Sequence, residues 1–117
     1  MEILFSEIID ELKKISIVSN SYKFYEYVKI ETFSTLNYCN EFMVLYAKPV
    51  NDKILITDLN YILEDSFYSG IDNEAFKKMV GDYGLNFDGK CVFIETHLDN
   101  LEDSINKFID FVKKLNL

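Results

Sequence analysis

The sequence predicts an α+β protein in which an antiparallel sheet of about four or five strands is covered by helices. Two observations lead to this class. Apolar residues recur at helical spacing in four segments, and runs rich in aromatic and β-branched residues, separated by turn residues, occupy five others. In chain order these segments give α-β-β-β-α-α-β-β-α. The length of 117 residues predicts a single domain over residues 1–117.

Amphipathic stripes predict the four helices. They are residues 2–15, a segment from a cap at Thr57 or Asp58 to Gly70, a segment from a cap at Asp72 to Gly84, and a segment from Asp99 or Asn100 to the C-terminus. An oxygen-bearing side chain is expected at such starts because it accepts hydrogen bonds from the free amides of the first turn. Asp99 and Glu102 also have the spacing of a capping box.

The five expected strands are residues 22–33, 41–48, 53–57, 85–87 and 90–96. Alternation in the first strand predicts one face with Phe24, Val28 and Ile30, and an opposite face with Tyr25, Tyr27, Lys29 and Glu31. The second and third strands predict a hairpin with a loop of about four residues, 49–52. Asp88-Gly89 predicts a second hairpin between the last two strands.

The charge balance excludes several classes of function. The chain has 20 acidic residues and 12 basic ones, all of them lysine, for a net charge of -8. A protein that grips a nucleic-acid backbone needs a cationic surface, so we expect no direct nucleic-acid binding. No apolar run has the length of a membrane span, and two cysteines do not make a disulfide scaffold. We therefore predict a cytoplasmic protein; the resemblance described next implies that the cell is a bacterial host cell.

Two segments of the chain resemble a known family. The run Phe42-Met43-Val44-Leu45-Tyr46, followed by Ile54-Leu55-Ile56-Thr57-Asp58, resembles the strand pair and leucine-threonine-aspartate signature of the bacterial and phage family called domain of unknown function 1828. The resemblance covers residues 41–117. It implies a bacterial or phage origin and a sheet closed by an amphipathic helix, and it implies no activity.

Catalytic and metal-binding patterns are weak. Asp58 stands at a strand-to-helix junction, where it could act as a base or bind a metal, although a helix cap explains the same residue. A second cluster would combine Cys91, Glu95, His97 and Asp99, but a polar strand end that runs into a capped helix is the simpler explanation of these residues. We predict no catalytic residue, no metal and no cofactor. The alternative is a small metal-dependent enzyme or accessory domain that uses Asp58 or the 95–99 segment.

The acidic segment between residues 54 and 76 contains no lysine and is the main candidate for a contact surface. The predicted partner-binding residues are Tyr61, Glu64, Asp65, Tyr68, Asp72 and Glu74. Tyrosines beside carboxylates suit a basic partner. We therefore expect a non-catalytic protein-interaction module, an inhibitor of phage or mobile-element type with an anti-defence role such as anti-CRISPR. Its partner would be a basic host protein, such as a nucleic-acid-binding effector that it blocks by charge mimicry. The alternative reading is a homo-oligomer, such as a homodimer, that buries Tyr25 and Tyr27.

Overall fold

A computed structural model describes residues 2–36, 41–59, 62 and 72–115. The helices are α1 (Phe5–Leu12), α2 (Asn73–Asp82) and α3 (Leu101–Leu115). The strands are β1 (Val18–Phe24), β2 (Tyr27–Thr35), β3 (Phe42–Val50), β4 (Lys53–Thr57), β5 (Asn86–Phe87) and β6 (Val92–Thr96). A short 3-10 turn, Leu98–Asn100, leads directly into α3.

The six strands form one antiparallel sheet in the order β1-β2-β3-β4-β6-β5. The α+β class and the antiparallel sheet are therefore confirmed, but the predicted count of four or five strands is too low. The additional strand comes from the N-terminal third of the chain, where residues 22–33 were expected to be one strand.

Residues 22–33 are divided between two strands by a tight turn. Tyr25 and Glu26 form the turn, and Tyr25 has a positive φ of 56°. β1 pairs with β2 so that Phe24 lies opposite Tyr27. Phe24 therefore shares the face of Tyr27 and not that of Val28, which corrects the predicted face. Turn-forming Gly, Asn or Asp is absent at these two positions, so local composition gave no signal for the turn.

The other two hairpins are confirmed, with changes in their loops. Val50 pairs with Lys53, so the first loop has two residues rather than about four. Phe87 pairs with Val92, which makes the second loop residues 88–91. There the Asp88 carboxylate accepts hydrogen bonds from the backbone amides of Lys90, at 2.9 Å, and of Cys91, at 2.7 Å.

The core lies between the helices and one face of the sheet. Its fully buried members on the strands are Val28, Ile30, Leu45, Ala47, Ile54, Ile56 and Val92. Its fully buried members on the helices are Ile8, Leu12, Phe76, Val80, Leu101, Ile105, Phe108 and Phe111. The helical members other than Phe111 belong to the apolar stripes expected from the sequence, so the buried faces of α1, α2 and α3 are confirmed even where their ends differ.

Helix ends depend on contacts that periodicity does not report. The Asp72 carboxylate accepts from the backbone amide of Ala75 at 2.8 Å, which confirms the predicted cap of α2. α1 is shorter than the predicted 2–15 because two turns follow Leu12 before β1 begins. The capping box predicted at Asp99 is wrong, since the 3-10 turn occupies that position. Of the helix expected after Asp58, Leu59 and Ile62 lie within the described residues. Leu59 is exposed and has a positive φ of 51°, so it is a turn residue and not part of a buried helical stripe, whereas Ile62 is helical and buried.

Candidate functional site

The face of the sheet opposite the core is rich in aromatic rings, and none of the three described helices packs on it. We call it the open face and define it by Tyr22, Phe24, Tyr27, Lys29, Glu31, Phe33, Phe42, Val44, Tyr46, Lys48 and Leu55. Large apolar side chains at this density are unusual on the surface of a monomer. The open face is therefore the leading candidate for a functional surface among the described residues.

Several of the open-face rings are strongly exposed. Phe33 keeps 58% and Phe42 keeps 55% of their accessible surface, and Tyr25, in the adjoining turn, keeps 83%. The rings also contact one another, with 6.1 Å between the centroids of Tyr27 and Tyr46 and 6.2 Å between those of Phe24 and Tyr46. Because the rings support each other, the surface is a connected platform and not a scatter of single residues.

Two lysines lie among these rings. The Lys29 ammonium is 5.3 Å from the centroid of Phe24, and the Lys48 ammonium is 5.2 Å from that of Tyr27. A hydrogen bond to the Tyr22 side chain raises the pKa of Lys29, so this lysine stays charged at all physiological pH values. Within the described part of the chain, the sole ion pair joins Lys14 and Glu11. The open-face lysines thus interact with rings and form no ion pair there, although the Glu31 carboxylate also favours the charged form of Lys29.

Strand register arranges the lysines and rings in alternating rows. Tyr22, Lys29 and Tyr46 are direct neighbours across β1, β2 and β3. One step along the same register, Tyr27 of β2 lies opposite Lys48 of β3. In both rows, a lysine on one central strand faces a tyrosine on the other. This alternation follows from opposite residue order on two antiparallel strands.

Asp58 has a structural role at the junction of three segments. Its side chain is buried, with 1% of its surface exposed. One carboxylate oxygen accepts from the backbone amide of Ile62 at 2.8 Å, and the other accepts from that of Val92 at 2.9 Å. Thr57 adds a bond from the Leu59 amide to its hydroxyl at 3.2 Å. The bond to Ile62 agrees with the predicted cap, and the bond to Val92 fastens β6 to the end of β4.

The alternative metal cluster does not form. Glu95 and His97 are both exposed, and Cys91 lies in the loop before β6. No three histidine, cysteine, aspartate or glutamate side chains among the described residues are placed to hold a metal ion. The 91–99 segment is therefore a strand that runs into a 3-10 turn, as in the simpler interpretation.

The predicted acidic contact residues lie mostly outside the described residues. Tyr61, Glu64, Asp65 and Tyr68 belong to that group. Of the other two, Asp72 caps α2 and Glu74 is exposed in its first turn. Neither residue is on the open face. Tyr25 and Tyr27, named for the oligomer alternative, are at its edge and within it.

A cavity of about 180 Å³ lies beside the open face, where β3 continues past the end of β4. Its described walls are mostly apolar, and its charged members are Lys29, Glu41 and Asp58. No serine, cysteine or histidine is among the described wall residues, so a side-chain nucleophile paired with a base is not found there. The cavity extends the apolar surface of the open face.

Sequence reasoning missed most of the open face. As contact residues it named Tyr25 and Tyr27 but not Tyr22, Phe24 or Tyr46. A usable signal was present, because β2 and β3 each alternate aliphatic residues with a second set that mixes aromatic residues and lysine. None of the helices in the described part of the chain covers that second set.

Comparison with protein-family models, with curated proteins and with solved structures gave no significant match. The resemblance to domain of unknown function 1828 accordingly stays a prediction. Among the described residues, no helix is both long enough and apolar enough to cross a bilayer. The class that the structure defines is an α+β domain with helices on one side of a six-stranded antiparallel sheet and an aromatic surface on the other.

Proposed function

We propose that this chain is a non-catalytic protein-interaction module that binds its partner through the open face. The observation that carries the proposal is the platform of contacting rings around Tyr27 and Tyr46, bordered by strongly exposed Phe33 and Phe42. Aromatic residues supply large, rigid contact area and are enriched at the centres of protein interfaces. Exposed aromatic surface is unfavourable in water, and its burial against a partner therefore contributes favourable free energy to binding.

Charge favours a protein partner over a nucleic acid. The open face carries Lys29, Lys48 and Glu31, a net charge of +1, in a chain of net charge -8. A phosphate backbone would contact two lysines but would be repelled by the negative charge on the rest of the chain. A protein surface of mixed apolar and polar character can cover the rings without that repulsion.

The narrower prediction of a phage-type inhibitor, anti-CRISPR included, that binds a basic host protein rests on the acidic segment between residues 54 and 76. Its central residues lie outside the described part of the chain, and Asp72 is used by the α2 cap. This version stays a prediction, and it differs from the open-face proposal in the side of the molecule that touches the partner.

Affinity capture from the source organism tests the proposal and separates it from the acidic-segment version. Three baits are compared: the unchanged chain, an open-face variant with Phe33→Ser and Lys48→Glu, and a helix-side variant with Glu74→Lys and Asp103→Lys. All four positions have side chains at the surface or on the open face, so circular dichroism should show that each bait is folded.

We expect the unchanged chain and the helix-side variant to retain the same protein, which the open-face variant loses. Retention by the open-face variant contradicts the proposal. Loss by the helix-side variant alone also contradicts it and supports the acidic-segment version instead.

A further inference from the structure

We infer that the occupant of the open face is a second copy of this chain, related by a two-fold axis that runs parallel to the strands between β2 and β3. The inference rests on the proposed function and names its partner. In a two-fold interface, if one residue of the first copy contacts a different residue of the second, the same contact occurs with the copies reversed, so the surface must complement itself. The open face meets this condition in its strand register.

The proposed axis places each β2 residue of one copy over a β3 residue of the other copy. The two residues are those that pair with each other across β2 and β3 within a single copy. Lys29 is opposite Tyr46, so each Lys29 would lie over Tyr46 of the second copy and each Tyr46 over its Lys29. Tyr27 and Lys48, one step further in the same register, exchange in the same way. Four lysine–ring contacts result, and no lysine meets a lysine. A cation over an aromatic face is attractive, and more so once water is removed.

The outer strands are also complementary, because the same axis places β1 of one copy over β4 of the other. Phe24 is opposite Tyr27 and Leu55 is opposite Lys48, so Phe24 of one copy would lie over Leu55 of the other. Glu31 is opposite Val44, between the Lys29–Tyr46 row and the exposed Phe33 and Phe42, so each Glu31 would lie over Val44 of the other copy. Its carboxylate accepts a hydrogen bond from the Asn20 side-chain amide of its own copy at 3.2 Å. Around the two lysine–tyrosine rows the contact is mainly aromatic and apolar.

Charge along the helices favours this pairing over one made through α1. Each copy has a net charge of -8, and the open face has +1 from two lysines and one glutamate. α1 carries three acidic residues and no lysine, so a contact made through it would bring like charges together, whereas α2 and α3 each carry as many lysines as acidic residues. Stacking the open faces keeps the two α1 helices apart.

The size of the open face sets the expected strength. Four strands about 4.8 Å apart and about 22 Å long cover on the order of 400 Å² in projection. This is about half of the ~800 Å² per partner that is typical of a stable interface. We therefore expect a reversible dimer that dissociates in the micromolar range and not a permanent one.

Sedimentation equilibrium over about 1 to 500 µM tests the dimer. We expect the unchanged chain to pass from monomer to dimer across this range. Lys48→Glu should raise the dissociation constant by about tenfold or more, because it replaces two cation–ring contacts with carboxylates over rings. The matched control Glu74→Lys, on the helix side, should leave the dissociation constant within about twofold.

Cross-linking tests the axis. In a background with Cys39→Ser and Cys91→Ser, a mixture of the single variants Phe24→Cys and Leu55→Cys is treated with a short bismaleimide. Covalent dimers should form in the mixture and not from either variant alone, because the axis places β1 over β4 and separates the two β1 strands by about 17 Å, from three strand spacings sideways and the distance between stacked sheets.

Monomer at every concentration overturns the inference, while the capture experiment still decides the proposed function through a different partner. A dimer that is unchanged by Lys48→Glu, or that cross-links equally in the single variants, overturns the open-face axis. A captured partner that the open-face variant keeps overturns the proposed function itself.

Discussion

At the scale of one residue, Asp58 makes both a local hydrogen bond, which the sequence predicts, and a long-range one, which it does not. Its position after β4 predicts a helix cap, and the bond from the Ile62 amide fits that role. Its second oxygen binds the amide of Val92, 34 positions away in the chain. A buried carboxylate that accepts two amides holds segments together more firmly than a neutral acceptor would, because charged hydrogen bonds are the stronger ones.

Replacing Asp58 with alanine should destabilise the fold by about 2–4 kcal/mol, because two buried amides lose their acceptor. Asp72→Ala, which removes an exposed cap from α2, should cost about 1 kcal/mol and is the matched control. Urea unfolding of both variants measures the difference. Equal effects would contradict the structural role given to Asp58.

Cys91 provides a second test at this scale. Burial raises the pKa of its thiol, and the nearby carboxylates of Asp58 and Asp88 raise it further. The thiolate should therefore appear at higher pH in the folded chain than in the unfolded chain. The rate of reaction with a disulfide reagent, followed against pH in a Cys39→Ser variant, measures the midpoint in both states. A folded midpoint at or below the unfolded one would be inconsistent with this burial.

At the scale of an element, the hairpin of β5 and β6 depends on one side chain in its loop. The Asp88 carboxylate accepts from the amides of Cys91 and Lys90, and these bonds lower its pKa. The lowered pKa means that the ionised form is favoured by folding. Its contribution is therefore complete above the unfolded pKa of about 4 and is lost as pH falls through the lower folded pKa.

Asp88→Ala should reduce the free energy of unfolding by about 1 kcal/mol near pH 6, and by less near pH 2, where the unchanged side chain is protonated too. Urea unfolding of both chains at the two pH values provides the comparison. Asp52→Ala, in the exposed turn between β3 and β4, is the control. A difference that is constant between the two pH values would exclude the proposed role of the charge.

At the scale of the whole molecule, the two faces of the sheet have different tasks. The core face and the helices hold the fold, whereas the most exposed rings of the open face, Phe33 and Phe42, contribute little to it because they remain in water. Two phenylalanines, one on each side of the sheet, allow the two roles to be compared. Phe108 is fully buried on α3, and Phe33 keeps more than half of its surface on β2.

Phe108→Ala should cost about 3–5 kcal/mol, since it leaves a cavity in the core. Phe33→Ala should change the free energy of unfolding by about 0.5 kcal/mol or less, as for most surface substitutions. Both are measured by urea unfolding at low micromolar concentration, where self-association is small. A large cost at Phe33 would mean that the open face is part of the core, and it would remove the basis of the proposed function.

Sequence and structure agree best where interactions are local. The apolar stripes of α1, α2 and α3 and the cap at Asp72 were predictable because the residues that define them lie within a few positions of one another. The hairpins at Asn51 and Asp88 were predictable in place, though not in loop length. The partner-binding residues placed on the acidic segment lie largely outside the described part of the chain, and they are not on the surface that the structure makes prominent.

The amino-acid sequence by itself determined the α+β class, the helical faces and the identity of the apolar set, since each follows from a period of 3.6 or 2 residues. Only the tertiary structure decided that Tyr25 and Glu26 form a turn, that Asp58 binds Val92, and which face of the sheet the three described helices leave open. The physical reason is that these outcomes depend on segments meeting across the sheet. Strand register and layer packing place together residues that no local pattern relates.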